Sequence, residues 1–184
     1  LTCEELKEAD AYAEIFGIEL RPFIQTLAHL NQIVRYEEYQ KIIDTDDILL
    51  AEDPRAKTLL EHLIRTVSKN FSSKKINIGM DEAHMVGLGK YLDRHGYRNR
   101  QEIMQRHLEM VLSICKQYGF TVQMWSDMFF RLAFHGAYYE NDVEKLRGIH
   151  IPQEVEIGYW DYYSTDEAHY DEMIRRHKQL TERT

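Results

Sequence analysis

The sequence predicts an α/β protein, a parallel sheet with helices packed outside it. Strand-like and helix-like segments alternate along the 184 residues, and this alternation is typical of α/β folds. The strand-like segments are apolar nearly throughout, as in strands buried on both faces of a parallel sheet. Polar and aromatic residues gather at the C-terminal ends of these strands, where both open α/β sheets and (β/α)8 barrels bind ligands. Four predicted strands cannot close a standard eight-stranded barrel, so the alternatives are a doubly wound sheet and about half of a barrel.

Capping signals define the predicted helices. Thr2 and Glu5 form one capping box, and Ser164 and Glu167 form another. The dipeptide Asp53-Pro54 is an N-cap followed by proline at the first helical position. Several helices close at a glycine, a common C-terminal signal. Helices are predicted at about 2–16, 54–70, 87–95, 99–118 and 164–184, with a short helix or loop over 30–42.

Apolar runs between these helices predict four strands. They read IELRPFIQTL, KINIGMD, FTVQMWSDMFF and EVEIGYWDYY, at positions 18–27, 75–81, 120–130 and 154–163. The chain has no internal repeat, no low-complexity segment and no linker-like stretch. We therefore expect one domain over residues 1–184.

Composition narrows the classes of partner. The net charge of −8 and the pI near 5.6 argue against a nucleic-acid duplex, because phosphate binding needs a basic surface. No apolar run is long enough to span a bilayer. Cys3 and Cys115 lack metal or redox spacing, which favours a reducing compartment, and we expect a cytoplasmic protein. The sequence begins at Leu1, so we expect a piece of a longer chain.

The letters DEAH at positions 81–84 match a helicase motif, but its partners are missing. A nucleotide-hydrolysing enzyme of that kind needs an upstream phosphate-binding loop, G-x-x-x-x-G-K-[ST]. Nothing before Asp81 resembles that loop. The segment GLGKYL comes after the motif, lacks the spacing and has Tyr91 where Ser or Thr belongs. A helicase is disfavoured on these grounds.

A metal site is the second alternative. His29, Asp81, Glu82 and His84 could meet at one end of the sheet. The sequence nevertheless lacks H-E-x-x-H and any close histidine pair at ligand spacing. We therefore expect neither a metal nor another cofactor.

Three motifs in order, NIGMDEAH, MWSDMFF and GYWDYY, resemble the catalytic barrel of the β-N-acetylhexosaminidases, glycoside hydrolase family 20. The family's His-x-Gly-Gly-Asp-Glu corresponds to residues 77–82, and its Pro-x-x-Asp-x-Pro-Gly-His corresponds to residues 22–29. Two positions of the first motif and three of the second depart from the pattern, among them Gln25 in place of the aspartate. These departures suggest a divergent branch, similar to the cytoplasmic bacterial exo-hexosaminidases. The resemblance implies a partial (β/α)8 TIM barrel of about four βα units, the third to the sixth.

The resemblance also implies a reaction, the removal of terminal β-linked GlcNAc or GalNAc with retained configuration. The substrate's own acetamido oxygen would attack the anomeric carbon and form an oxazoline-type intermediate. Glu82 would be the general acid and then the general base, and Asp81 would orient the acetamido group. Adjacent strand side chains point to opposite faces, so both can serve one substrate only where the strand ends or bulges. The alternative for this pair is helix capping at a strand–helix junction.

Further substrate-binding residues follow from the resemblance. The tryptophans would line a sugar pocket, or else pack in the core; the aspartates would bind sugar hydroxyls, or else fix loops. His29 would contact the acid or be structural, and Tyr162 would also line the pocket. These residues are His29, Trp125, Asp127, Trp160, Asp161 and Tyr162.

The family's remaining sugar contacts come from strands outside this sequence, so the chain alone is expected to be weakly active or inactive. An incomplete barrel exposes strand edges, which would favour a homo-oligomer. A non-catalytic carbohydrate-binding or interaction module derived from the same barrel is the alternative function.

Overall fold

The computed structural model describes residues 1–139, 145 and 148–181. Seven α-helices lie in these ranges: α1 Cys3–Ile15, α2 Asn31–Val34, α3 Pro54–Asn70, α4 Lys90–His95, α5 Arg100–Gln117, α6 Asp127–Ala133 and α7 Glu167–Leu180. The strands are β1 Ile43–Thr45, β2 Ile48–Leu49, β3 Lys75–Asn77, β4 Thr121–Trp125 and β5 Val155–Gly158, and a 3-10 helix covers Glu37–Ile42. Among the described helices, none has the length and apolar character to cross a bilayer.

A three-stranded parallel sheet in the order β3-β4-β5 forms the centre of the fold. Ile76 pairs with Val122, and Val122 pairs in turn with Val155. All three side chains are buried. The predicted mixed α/β class with a parallel sheet is therefore confirmed. The motifs singled out in the sequence lie at the C-terminal ends of these three strands.

The first predicted strand, 18–27, is extended but forms only one bridge to the sheet. The backbone N–H of Ile24 donates to Asn77 O (2.9 Å), and the N–H of Asn77 donates to Pro22 O (3.0 Å). Proline has no N–H to give, so Pro22 limits this ladder to a single bridge, Phe23 to Asn77. The segment thus lies parallel to β3 without being a regular strand.

The two long helices pack against each other and into the core through the faces that periodicity predicted. In α3, Leu60 and Ile64 are fully buried. In α5, the buried stripe includes Ile103, His107 and Val111. Asp53 caps α3 by accepting a hydrogen bond from the Arg55 N–H (2.9 Å), as its position before a proline predicted.

Three local predictions were wrong. The third strand ends at Trp125, and the apolar residues after it form α6, because periodicity alone does not separate a short buried helix from a strand. The fourth strand likewise ends at Gly158. The N-cap of α7 is Asp166, which accepts from the Ala168 N–H, so the predicted Ser164–Glu167 box does not form. The β1–β2 hairpin was not predicted.

One buried histidine connects a helix to the extended segment 18–27, and another connects a helix to the end of β4. The His107 ring of α5 bonds Thr26 O through Nε2 at 2.8 Å, and the His177 ring of α7 bonds Ser126 Oγ at 2.7 Å. Both side chains are fully buried. Burial lowers the pKa of each imidazole below its ordinary value of 6.5, because the charged form loses its hydration.

Because the pKa values of His107 and His177 are lowered, we expect the folded protein to become less stable in mild acid. Below about pH 6.5 these two histidines are protonated in the unfolded chain but remain neutral in the folded chain. The free energy of unfolding therefore decreases as the pH drops towards the pKa values of the folded state. Urea unfolding between about pH 7.5 and pH 5.5 measures this slope. We expect a shallower slope for His107→Gln, and the wild-type slope for the exposed control His62→Gln. An equal slope in wild type and His107→Gln would refute the assignment.

Candidate active site

The backbone after β3 leaves the sheet through a turn with left-handed residues. Asn77 Oδ1 accepts from the Gly79 N–H (2.8 Å) and so bends the chain directly after the strand. Gly79, Met80 and Glu82 then have φ values of 66°, 66° and 52°. Positive φ is uncommon for non-glycine residues and breaks the alternation of strand side chains. Asp81 and Glu82 therefore do not point to opposite faces.

Gly79 is favoured by its positive φ, and a side chain there would also displace Gln25. A Cβ at this position would lie 2.0 Å from Gln25 Oε1, well inside contact distance. The amide of Gln25 thus packs on the Gly79 backbone. Its Nε2 donates to Asp81 Oδ1 at 2.8 Å, so the glycine and the amide together fix the carboxylate.

The imidazole of His29 lies between the two carboxylates. Its Nε2 is 3.2 Å from Asp81 Oδ2 and 3.5 Å from Glu82 Oε2. The Asp81 side chain is 17% exposed and the Glu82 side chain 40% exposed. Asp81 is consequently held on both sides, by Gln25 and His29, while the Glu82 carboxyl remains accessible to a ligand.

Asp127 lies beneath this pair and is completely buried. Its Oδ2 accepts from the Glu82 backbone N–H at 3.1 Å and from Arg131 Nε at 3.2 Å. Burial raises the pKa of Asp127, opposed by the hydrogen bond from Glu82 and reinforced by the charge of Asp81. In this position Asp127 supports the backbone of Glu82, and a sugar hydroxyl would reach it only after rearrangement.

The predicted aromatic residues lie at the same end of the sheet. Trp125 ends β4, is half-buried and packs against Gly158, where a Cβ would lie 2.9 Å from the indole. Trp160 is half-buried, and Tyr162, which is 81% exposed, stacks on it with ring centroids 6.0 Å apart. The Phe23 ring lies next to Trp125, with ring centroids 6.2 Å apart.

Asp161 is engaged by its own loop and by α7. Its carboxylate accepts from the Tyr159 hydroxyl (2.9 Å) and the Tyr163 N–H (2.8 Å), and pairs with His169 Nε2 (2.8 Å). The side chain is only 1% exposed. These contacts match the loop-fixing alternative for Asp161 more closely than a sugar contact.

A buried hydrogen-bonded group holds the end of β4 and was not recognised in the sequence. Ser126 Oγ lies 2.6 Å from the Tyr138 hydroxyl and 2.7 Å from His177 Nε2, and His177 Nδ1 lies 2.6 Å from Met173 O. The serine hydroxyl is fully buried, so it is a structural group and not a nucleophile. No local signal could have found it, because its members are far apart in the sequence.

The sequence offered His29, Asp81, Glu82 and His84 as an alternative metal set. Within the described ranges, no group of three or more His, Cys, Asp or Glu residues has the arrangement to hold a metal ion. Burial lowers the pKa of His84, and the positive charge of Arg131 lowers it further.

No protein-family model matches the chain, and no curated protein does. Solved structures do. The family 20 β-N-acetylhexosaminidase of Streptomyces coelicolor aligns with a TM-score of 0.62 at 17% identity, over 98% of this chain and 32% of its own. The β-N-acetylhexosaminidase of Bacteroides fragilis aligns at 0.67 and 19%, over 96% and 33%. The Vibrio harveyi exo-β-N-acetylglucosaminidase, in complex with N-acetylglucosamine, aligns at 0.65 and 14%, over 98% and 27%.

This chain therefore spans about a third or less of those proteins, and at such identities the likeness establishes the fold. The resemblance found in the sequence is confirmed at that level: the chain has the fold of a part of the β-N-acetylhexosaminidases of glycoside hydrolase family 20.

Proposed function

We propose that this chain is the acid-bearing part of an exo-β-N-acetylhexosaminidase, comprising the third to sixth βα units of a (β/α)8 barrel. The substrate would be a terminal β-linked GlcNAc or GalNAc, and the reaction would retain configuration. The fold supports this assignment, and so does the similarity to an enzyme whose structure holds N-acetylglucosamine. A glycoside hydrolase of this kind needs no cofactor.

The observation that carries the proposal is the placement of two consecutive carboxylates on one histidine. Asp81 and Glu82 both approach His29 Nε2, at 3.2 and 3.5 Å. A helix-capping pair would instead place its carboxylates on backbone N–H groups, and neither side chain does so among the described contacts. The arrangement suits a substrate that needs two neighbouring acidic groups with different roles.

Glu82 is the group suited to proton transfer, because it is the more exposed of the two carboxyls. In the proposed reaction it protonates the leaving oxygen while the substrate's acetamido oxygen bonds to the anomeric carbon. The resulting oxazoline-type intermediate is then opened by water, which gives its proton to Glu82. The Asp127 carboxylate, through the Glu82 N–H, keeps the acid in place.

Asp81 is suited to an electrostatic role. Its carboxylate would accept from the acetamido N–H and stabilise the positive charge that develops on that nitrogen. The Gln25 amide holds Oδ1 of this carboxylate at 2.8 Å. Glutamine thus orients Asp81 at the position where the family that this sequence resembles has aspartate.

Trp125, Trp160 and Tyr162 would bind the apolar face of the sugar, since all three rings lie at the end of the sheet that carries Glu82. Residues outside this sequence would supply the remaining sugar contacts. β5 lies at the edge of the described sheet. Its free edge would pair with the next barrel strand, or with a second copy when the chain is isolated; light scattering that gives the monomer mass at high concentration would exclude self-association.

We expect Glu82→Gln to lower kcat/KM on an alkyl β-N-acetylglucosaminide by about 10²–10⁴-fold, the usual contribution of a general acid. A substrate with a weakly basic phenol as leaving group needs less protonation and should lose less. The measurement is hydrolysis by the complete gene product that carries this chain, with GlcNAc and GalNAc substrates.

Glu38→Gln is the matched control, because Glu38 is exposed and has no described contact with Asp81 or Glu82. It should retain wild-type kcat/KM. If the complete protein folds but hydrolyses neither the GlcNAc nor the GalNAc substrate, the hexosaminidase proposal is wrong. The non-catalytic carbohydrate-binding module is then the better proposal.

Gly79→Ala should lower both stability and activity. The new Cβ would displace Gln25, which then no longer orients Asp81, so we expect kcat/KM to fall by about 10²-fold, as when an electrostatic group is lost. Gly119→Ala is the control: Gly119 has φ +74° but no atom within 4 Å of its added Cβ. Denaturation and kinetics of both variants separate the backbone cost from the loss of Gln25. Equal activities would show that Gln25 does not matter.

A further inference from the structure

A cavity rich in basic side chains opens beside the proposed acid. It has a volume of about 370 Å³, and its polar lining consists of His84, Arg100, Arg131 and His135. Among the residues that the structure describes, no acidic side chain lines it. Two arginines and two histidines thus line one cavity, although the net charge of the chain is −8. The volume lies within the range of about 300–1,000 Å³ that is usual for small-molecule sites.

Arg100 has no carboxylate partner among the described residues. Its Nε donates to Val86 O at 3.1 Å, and its Nη2 donates to His84 O. Backbone carbonyls position the guanidinium but do not neutralise it. Burial lowers the pKa of Arg100, which is the mark of a partly desolvated positive charge. Because a guanidinium has five N–H donors, Nη1 remains available for a ligand.

Arg131 is held by one carboxylate, which it shares. Its Nε donates to Asp127 Oδ2 (3.2 Å), the same oxygen that accepts from the Glu82 N–H (3.1 Å). Its Nη1 donates to Gly136 O at 3.0 Å. The guanidinium carbon also lies 6.0 Å from the centre of the Trp160 ring, over its face. The Asp127 carboxylate thus connects Arg131 to the backbone of the proposed acid, Glu82.

The position of the cavity identifies which part of a substrate would reach it. Gln25 donates a hydrogen bond to Asp81, the carboxylate that is proposed to bind the acetamido group. The cavity is connected to Glu82 instead: the His84 N–H donates to Glu82 O (2.7 Å), and His84 lines the cavity. Glu82 protonates the leaving oxygen, so the group nearest the cavity belongs to the leaving part of the substrate.

We propose that this cavity is an oxyanion site that binds a carboxylate, sulfate ester or phosphate ester on the sugar from which the N-acetylhexosamine is released. Arginine guanidinium groups bind such planar or tetrahedral oxyanions through paired hydrogen bonds, and the two histidines add further donors. The site gives the enzyme a preference for acidic glycans. This inference rests on the proposed function for its place in the reaction.

The test compares acidic and neutral leaving groups in the complete gene product. Substrates carry GlcNAc β-linked to glucuronate, to a glucose sulfate ester, to a glucose phosphate ester and to unmodified glucose. In the wild type we expect kcat/KM for at least one acidic substrate to exceed the neutral value by about tenfold, the worth of one charge-assisted contact. The acidic substrate with the highest kcat/KM identifies which oxyanion the cavity binds.

Arg100→Gln should reduce the acidic-to-neutral ratio to about one, whereas the exposed control Arg65→Gln should leave it unchanged. A wild-type ratio of one or less in every arm would overturn the proposal, and so would a preference that Arg100→Gln leaves intact.

A second measurement separates this inference from the proposed function. Inorganic sulfate is titrated into the complete protein while the imidazole resonances of His84 and His135 are followed by NMR. Saturable shifts that Arg100→Gln removes would support the oxyanion site even if no glycoside were hydrolysed. Resonances that do not move in the wild type would overturn it even if the neutral substrate were a good one.

Discussion

The turn that follows β3 places both carboxylates. Pairing with β4 continues past the strand: the Ile78 N–H donates to Gln123 O (2.9 Å), and the Trp125 N–H donates to Gly79 O (3.1 Å). The chain then turns away from the sheet. The non-glycine residues Met80 and Glu82 take positive φ. Such residues cost about 1–3 kcal/mol each and persist only where the surroundings hold them. Ile78 and Met80, both fully buried, anchor the turn in the core, so core packing stabilises an unfavourable backbone next to the chemistry.

A continuous set of contacts connects this turn to the body of the protein. His107 of α5 bonds Thr26 O at 2.8 Å, and the Thr26 hydroxyl donates to Ile78 O at 2.8 Å. The neighbouring Gln25 then holds Asp81. The extended segment 18–27 therefore forms little of the sheet but carries the groups that orient the carboxylate. Its single bridge is sufficient, because side chains and not a ladder fix its position.

Asp127 connects the proposed acid to the basic cavity. One oxygen of its carboxylate serves both the Glu82 N–H and the Arg131 guanidinium. An anion bound by Arg131 would compete for the same positive charge, so occupancy of the cavity and placement of Glu82 are physically coupled. The Ser126, Tyr138 and His177 group lies behind this carboxylate and fixes the end of β4 from which α6 starts.

The sequence by itself determined the helices and the parallel sheet, because caps and apolar periodicity act over a few residues. It also singled out Asp81 and Glu82, from the order of motifs around them. Only the tertiary structure brought Gln25 and His29 onto these carboxylates, since the Gln25–Asp81 pair is separated by 56 residues. It also decided that Asp127 is buried beneath Glu82, because the run after Trp125 folds as a helix. A hydrophobic run in the sequence indicates that a segment is buried, but not where its polar side chains point. Their direction is set by packing between segments that are distant in the sequence.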